Sequence, residues 1–284
     1  MKLSVIVTTY NRPDALNAVL QGLFRQTGVG EGSWEVLVAD DGSGRETVDV
    51  VAQWQARYGA RLKHIWHEDK GFRAAAIRNR AAAQASGDYL IFMDGDCIPF
   101  PDFLRQHVAL AEPGKSVAGN RVLLSKAFTQ ALLASDNPIA PTRWSPLAWF
   151  KGWVRNDVNK ALGWLRLPLG GLRDRDSQKW SMYRTCNVGV WAHDYYTVDG
   201  MDEAFSGWGY EDSDLAVRLI RAGVRLKDGR FAVPVLHLWH PENDRSKQAE
   251  NWRRFETSLN STRIRATCGL SVLAKSSPIE VIHE

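Results

Sequence analysis

The feature that most narrows what this chain can fold into is an apolar strand that ends in acid. Tyr89-Leu90-Ile91-Phe92-Met93 runs without a polar break into Asp94-Gly95-Asp96. A short continuous apolar run bounded by a turn reads as a strand buried on both faces, and such strands belong to parallel sheets covered by helices. Three further strand readings precede it. Leu3 to Val7 is apolar and β-branched and is followed by a turn at Asn11 to Pro13; Trp34 to Ala39 ends at Asp40-Asp41-Gly42-Ser43; Leu62 to Trp66 is the third. Helical spacing fills the gaps. Leu16, Val19, Leu20, Leu23 and Phe24 share one face of a helix from Asp14, Val50, Val51 and Trp54 mark a second, and an alanine-rich helix spans about Phe72 to Ala85. The alternation predicts an α/β fold, doubly wound, with a mostly parallel central sheet, helices on both faces and a ligand site at the carboxyl ends of the strands.

The length of 284 residues suits one continuous domain, and 44% hydrophobic with 24% charged residues excludes a disordered chain. A formal charge of +4 fits anionic small molecules, phosphorylated glycans or an acidic membrane surface equally. No nucleic-acid partner is expected. Met1 to Tyr10 reads as a strand rather than a signal peptide, and no window reaches the roughly 18 apolar residues of a membrane span. Cys97, Cys186 and Cys268 are odd in number and scattered, without the spacing of a zinc site or a disulfide framework, so a reducing, cytoplasmic setting is expected.

The character changes near Ser125. Between Arg143 and Trp180 lie five tryptophans (Trp144, Trp149, Trp153, Trp164, Trp180), with eight basic residues against Asp157, Asp174 and Asp176. Two readings stand: a helical insertion packing its indoles on the sheet, or a surface for a lipid-linked or phosphorylated acceptor. Regular pattern resumes at Thr185, with a strand through Val188 to Trp191, a helix over Asp212 to Ala222, and strands near Val224 to Leu226 and Phe231 to Leu238. The expected division is a nucleotide-binding half over 1–124, a helical Trp/Arg-rich insertion over 125–180, an acceptor and metal half over 181–250, and a tail over 251–284.

Candidate chemistry gathers at strand ends. Period two puts Asp94 and Asp96 on one side of an extended chain, where two hard oxygens can hold a divalent cation against a diphosphate; the plainer reading is a strand-ending turn. Glu211 and Asp212 follow Gly207-Trp208-Gly209-Tyr210. Acidic residues in a first helical turn are favoured by the dipole alone, yet the same dipole is expected to keep Asp212 ionised, as a general base requires. His237 and His240, three apart and followed by Pro241, are either satisfied core residues or metal ligands. Imidazole with carboxylate favours manganese over magnesium. Arg12, Lys70, Arg73 and Arg78 are solvated charges or, at the strand-end rim, phosphate contacts. The Gly28, Gly30, Gly32 series follows a helix and precedes a strand, the wrong order for a dinucleotide fingerprint.

Taken together, Leu3 to Arg12, Asp40 to Ser43, Ala76 to Asn79, Asp94 to Asp96 and Gly209 to Asp212 resemble the family 2 glycosyltransferases of GT-A fold, the nucleotide-diphospho-sugar transferase fold. Asn187 to His240 is similar to the carboxyl half of the β-galactosyltransferase and polypeptide N-acetylgalactosaminyltransferase type. The resemblance covers about Met1 to Asn251 and implies roles. Thr8, Tyr10 and Arg12 would border the nucleoside and Asp41 the uracil edge; Lys70 and Arg78 would face phosphate; Asp94 would contact ribose or metal. Asp96, His240 and, by spacing, His237 would ligate the metal, Asp212 would be the base, and Glu211 and Trp208 would hold the acceptor. It implies an inverting, metal-dependent transfer from a nucleotide-sugar donor, a UDP-hexose or UDP-N-acetylhexosamine, to a glycan or lipid-linked glycan in bacterial surface polysaccharide or lipopolysaccharide synthesis, with peripheral membrane contact. Two other classes were weighed. A sugar-phosphate nucleotidyltransferase needs a glycine-rich loop after the first strand, and Thr8-Thr9-Tyr10-Asn11 has none. A non-catalytic glycan-binding protein on the same fold would not need the full set of Asp96, Asp212 and His240.

Overall fold

The structure, a computed structural model, describes residues 1–273. The four apolar runs form β1 (Leu3–Thr9), β2 (Trp34–Asp40), β3 (Leu62–Trp66) and β4 (Tyr89–Asp94), joined through α1 (Pro13–Leu23), α2 (Arg45–Tyr58) and α3 (Ala74–Ala83). Next come β5 (Cys97–Pro99), α4 (Phe103–Leu110), β6 (Lys115–Ala118) and β7 (Asn120–Leu123). The insertion contributes α5 (Lys126–Leu133) and α6 (Pro146–Val154), and the chain continues through β8 (Asn187–Trp191), α7 (Ala192–Thr197), α8 (Glu211–Arg221), β9 (Arg225–Asp228), β10 (Pro234–His237) and α9 (Gln248–Leu259).

Seven strands make one sheet in the order β3-β2-β1-β4-β8-β6-β9. β1 lies parallel between β2 and β4, with Thr9 opposite Asp40 and Thr8 opposite Asp94, so three acid-ended or threonine-ended strands finish on one edge. The strand order reverses at β1, which opens the crevice where α/β sheets take ligands. The sheet is not parallel throughout: β8 runs antiparallel to β4 and to β6. A strand buried on both faces carries the same apolar signal in either direction, so sequence alone cannot fix its sense.

Period two sorts each apolar run into two cores. Val5, Val7, Val36, Val38, Ile91 and Met93 pack with α1, whereas Ile6, Leu37 and Phe92 pack with Ile77 of α3 and with Leu215 and Leu219 of α8. Burying such a side chain contributes about 1.5–3 kcal/mol, which is why strands with no polar face persist only between two helical layers. A second sheet places β10 between β5, antiparallel, and β7, parallel. The expected strand from Phe231 shortens to Pro234–His237, because Phe231 takes a φ of 58° and the N–H groups of Ala232 and Val233 turn back to the Gly229 carbonyl at 3.1 and 3.0 Å.

The tryptophan-rich insertion divides its aromatic side chains. Trp149 is fully buried in the first core and its indole N–H donates to the Lys160 carbonyl at 2.8 Å, with Trp144 and Trp164 packed beside it. Trp153 is 41% exposed. The stretch from 251 onward begins inside α9 and returns over α8, and its residues 274–284 lie outside the described residues. Among the described residues no helix is long and apolar enough to cross a membrane.

What ties that return is a buried ion network. Asp214 accepts from Arg218 Nε at 2.7 Å, Ser258 Oγ at 2.6 Å and Arg263 Nη2 at 3.0 Å, and Arg218 Nη1 donates to the carbonyls of Val198 and Gly200, each at 2.7 Å. Asp214 and Arg218 are wholly buried, so removing one partner strands a charge. Arg218→Leu is expected to lower stability by about 3–5 kcal/mol, read as a fall in urea midpoint; a variant with an unchanged midpoint would show that the network contributes nothing.

Candidate active site

A cleft of about 550 Å³ opens at the carboxyl edge of β1 and β4 and is closed from the far side by the start of α8 and the chain after β10. That volume is the usual size for a small-molecule site. Its β1 wall is shaped by local chemistry. Asn11 takes a positive φ of 46° and its side-chain oxygen accepts from Gly44 N at 2.9 Å, while its own N–H donates to Ser43 Oγ at 2.8 Å. The two loops that follow β1 and β2 are thus stitched together. Gly42, at φ 96°, leaves no room for a Cβ, which would meet the Asp69 backbone at 2.5 Å. Asp41 is buried, with one oxygen on His67 Nε2 at 2.5 Å and the other accepting from Arg73 N at 2.7 Å.

Arg78 of α3 lies beneath the cleft, almost wholly buried, and its three nitrogens reach three elements. Nε donates to Thr8 Oγ1 at 2.9 Å, Nη2 to Asp94 Oδ1 at 2.8 Å, and Nη1 lies 3.6 Å from Glu211 Oε1. Burial works against its charge, but Asp94 and Glu211 outweigh that and hold the guanidinium more firmly protonated than usual. Asp94 and Asp96 do not act from one side of an extended chain. The strand ends at Asp94 and turns through Gly95, so Asp94 is drawn to Arg78 while Asp96 faces β10.

Asp96, His237 and His240 form one cluster, with ligand atoms within 4.8 Å of each other. Asp96 carboxylate oxygens lie 3.8 Å from His237 Nε2 and 3.5 Å from His240 Nε2. His240 Nδ1 sits 2.6 Å from the Pro241 carbonyl, which can only accept, so Nδ1 is the donor there and Nε2 is the nitrogen turned to Asp96. Burial pushes the His237 imidazole below its usual pKa, which favours the neutral, ligating form. Two imidazole nitrogens and one carboxylate make a donor set that fits a divalent transition-metal ion.

Opposite, Glu211 and Asp212 open α8 after the Gly207-Trp208-Gly209-Tyr210 loop. Gly207 and Gly209 have φ of 75° and 110° and Tyr210 a φ of 71°, and Asn251 of α9 secures the loop by donating to the Ser206 and Trp208 carbonyls at 3.1 and 3.3 Å. The expectation that the helix dipole keeps Asp212 ionised meets a stronger effect. Burial raises both carboxyls and the Asp212 charge raises Glu211 further, to about 7; Arg184 and Arg78 pull Asp212 the other way without cancelling the rise. Glu211 Oε2 and Arg78 Nη1 are buried without a hydrogen-bond partner among the described residues.

Of the residues predicted from sequence, Thr8, Tyr10, Arg12, Asp41, Arg78, Asp94, Asp96, Trp208, Glu211, Asp212 and His240 line this one cleft. His237 stands behind it, in the histidine cluster. Lys70 is away from the wall, 64% exposed on its side chain and paired with Glu68 at 2.9 Å. Sequence reasoning missed Arg121, Arg184, Phe72 and Asn243, which also line the cleft. No pattern announced them, since they sit in loops or at a strand edge where periodicity says nothing of direction.

Comparison with known proteins identifies the family. Glycosyl transferase family 2 matches residues 4–161, and the profile described as the N-terminal domain of galactosyltransferase matches residues 176–240. Validoxylamine A glucosyltransferase of Streptomyces hygroscopicus subsp. limoneus is 33% identical over 243 residues, which is 80% of this chain and 50% of that protein. Hyaluronan synthase of Pasteurella multocida is 31% identical over 246 residues, 81% of this chain and 24% of that one. The chain spans about half the length of the first of these relatives. Among solved structures, S. aureus TarS 1-349 superposes with a TM-score of 0.60 at 18% identity, covering 92% of this chain and 66% of that one. The mannosyltransferase PcManGT from Pyrobaculum calidifontis gives 0.56 at 17%, covering 98% and 66%. Those likenesses establish a GT-A-like fold, and the family match over more than half of its length places this chain in glycosyl transferase family 2.

Proposed function

We propose that the chain transfers a sugar from a nucleotide-diphosphate donor to a glycan hydroxyl, with inversion at the transferred carbon and in dependence on a divalent metal, manganese ahead of magnesium. The observation that carries this reading is the meeting of Asp96, His240 and Asp212 in a single cleft. The donor is read as a UDP-hexose or UDP-N-acetylhexosamine. TarS has been crystallised with UDP and with UDP-GlcNAc, and PcManGT with GDP-Man and Mn2+. The relatives named hyaluronan synthase and chondroitin synthase support a polysaccharide acceptor, and a cytoplasmic setting with a bacterial surface glycan belongs to the same reading.

The residues divide the work by charge. Thr8, Tyr10, Arg12 and Asp41 border the nucleoside end, and Arg78 holds Asp94 on the floor. Asp96, His237 and His240 would hold a divalent ion, which when bound would neutralise the charge of the departing diphosphate without a protein acid on that side. Asp212 takes the proton from the acceptor hydroxyl as its oxygen bonds to the sugar carbon, on the face opposite the leaving nucleotide diphosphate. Glu211, with one oxygen free of protein partners, accepts from an acceptor hydroxyl and orients it.

Asp212→Asn keeps the shape but cannot take a proton. It is expected to cut turnover by about 10²- to 10⁴-fold with the donor KM near wild type, and equal damage to both would count against the base assignment. The pH profile carries a sign. A base must be deprotonated, so kcat/KM falls with acid, and because burial and mutual repulsion raise this carboxyl pair the falling limb lies above the ordinary carboxylate range. Glu211→Gln removes one like charge and should move that limb to lower pH; no movement would separate the two groups. Chelation should abolish turnover and added manganese restore it, with His240→Ala needing about tenfold or more metal for half-restoration. Activity indifferent to chelator would remove the metal from the reading.

A further inference from the structure

The second helix of the insertion presents two different faces. Trp149 and Gly152 point into the core, and Gly152 packs against Trp144. Leu147, Phe150 and Val154, spaced i, i+3 and i+7, stand 63%, 52% and 59% exposed, with Trp153 beside Phe150 at a ring separation of 5.8 Å. A folded chain rarely leaves four large apolar side chains on one nine-residue helix to water, and such a face marks a docking surface. Its neighbours are basic. Lys151 shares the exposed side, and Arg143 and Arg155 flank the helix. Arg155 is tied to Asp157 at 2.8 Å, but among the described residues Arg143 and Lys151 have no carboxylate within ion-pair distance.

We propose that this face of α6 docks the protein on an anionic lipid bilayer surface. The pattern is that of a helix lying in the interface plane, with aliphatic and aromatic side chains entering the headgroup boundary while cations meet lipid charge. Tryptophan and lysine at the margin of the apolar stripe are the residue types that settle at that boundary. A second copy of the chain is the less fitting occupant. A stable dimer buries about 800 Å² per partner from some 20–30 residues, and this stripe is four side chains wide. Position favours the bilayer too. Ser125 N donates to the Asp157 carbonyl at 3.1 Å and Leu124 N to the His237 carbonyl at 3.0 Å, so the segment leaving α6 is fastened to the strand that carries the histidine cluster. Docking there sets the cleft against a surface from which a lipid-linked acceptor is met. Only that last step rests on the proposed transferase activity.

The test is co-sedimentation of the full chain with vesicles of phosphatidylcholine alone and of phosphatidylcholine with phosphatidylglycerol, at low and high salt. Expected is retention on the anionic vesicles that weakens in salt and falls by about fivefold for each cation lost in Arg143→Gln and Lys151→Gln. The double variant Leu147→Glu, Phe150→Glu should lose about tenfold or more while keeping its thermal midpoint and its rate of donor hydrolysis in solution. Should that variant unfold, the two charge variants read the same surface without touching apolar packing. No retention of wild type, undiminished retention of the double variant, or a concentration-dependent dimer abolished by it without vesicle binding would each overturn the proposal. Loss of donor hydrolysis by wild type would strike the transferase reading and leave the vesicle result standing.

Discussion

The structure turns on one buried cation. Arg78 is held under the cleft by β1 through Thr8, by β4 through Asp94 and by the start of α8 through Glu211, so a single guanidinium joins the first strands of the sheet to the helix that carries the acidic pair. A buried arginine is tolerated only where opposite charge and hydrogen bonds replace water, and here both come from groups that the cleft itself needs. Nη1 meets Glu211 only at ion-pair distance, 3.6 Å, and has no hydrogen-bond partner, so the floor is stable yet not saturated. That combination fixes the walls of the cleft and leaves hydrogen-bonding capacity for what enters it.

The same economy governs the carboxyls. Asp214 stands two residues beyond Asp212 and is chemically identical, yet it lies in the protein interior, held by Arg218, Ser258 and Arg263. Asp212 faces the cleft and hydrogen-bonds only weakly to its neighbour Ser213, at 3.3 Å. Neighbouring side chains, not the helix N-terminus they share, separate an aspartate bound in the interior from one that faces the cleft. The dipole contributes at most a few tenths to about 1 kcal/mol at such a position. Burial beside a second carboxyl is the larger effect, and it raises the pair.

What could be read from the sequence follows from how local each signal is. The first four strands and three helices were legible because an apolar run and a 3.6-residue period are properties of adjacent residues, and β1 to β4 fall where those runs end. The family was legible for the same reason, since its motifs are short and ordered along the chain. The direction of β8 was not, because pairing with β4 and β6 is a choice between distant segments. The split of Asp94 from Asp96 was hidden in the turn at Gly95, and an extended reading of Asp-Gly-Asp put both on one side. Arg121 and Arg184 reach the cleft from segments whose facing depends on tertiary packing. Lys70 illustrates the converse: a basic residue near the strand-end rim turned to Glu68 and solvent, because one loop residue in either direction changes which wall it meets.

The insertion packs some of its indoles on the core and leaves another exposed. Tryptophan and arginine are both two-sided residues, able to bury an apolar body while presenting a polar end. Trp149 uses the option inward, with its ring in the core and its N–H on a backbone carbonyl, and so holds α6 firmly enough for the other face to be displayed. Had all the indoles packed inward, the helix would be only a brace; had none, nothing would fix it beside the histidine-bearing strand. A buried anchor with an exposed stripe on the same nine residues is what a rigid docking element requires.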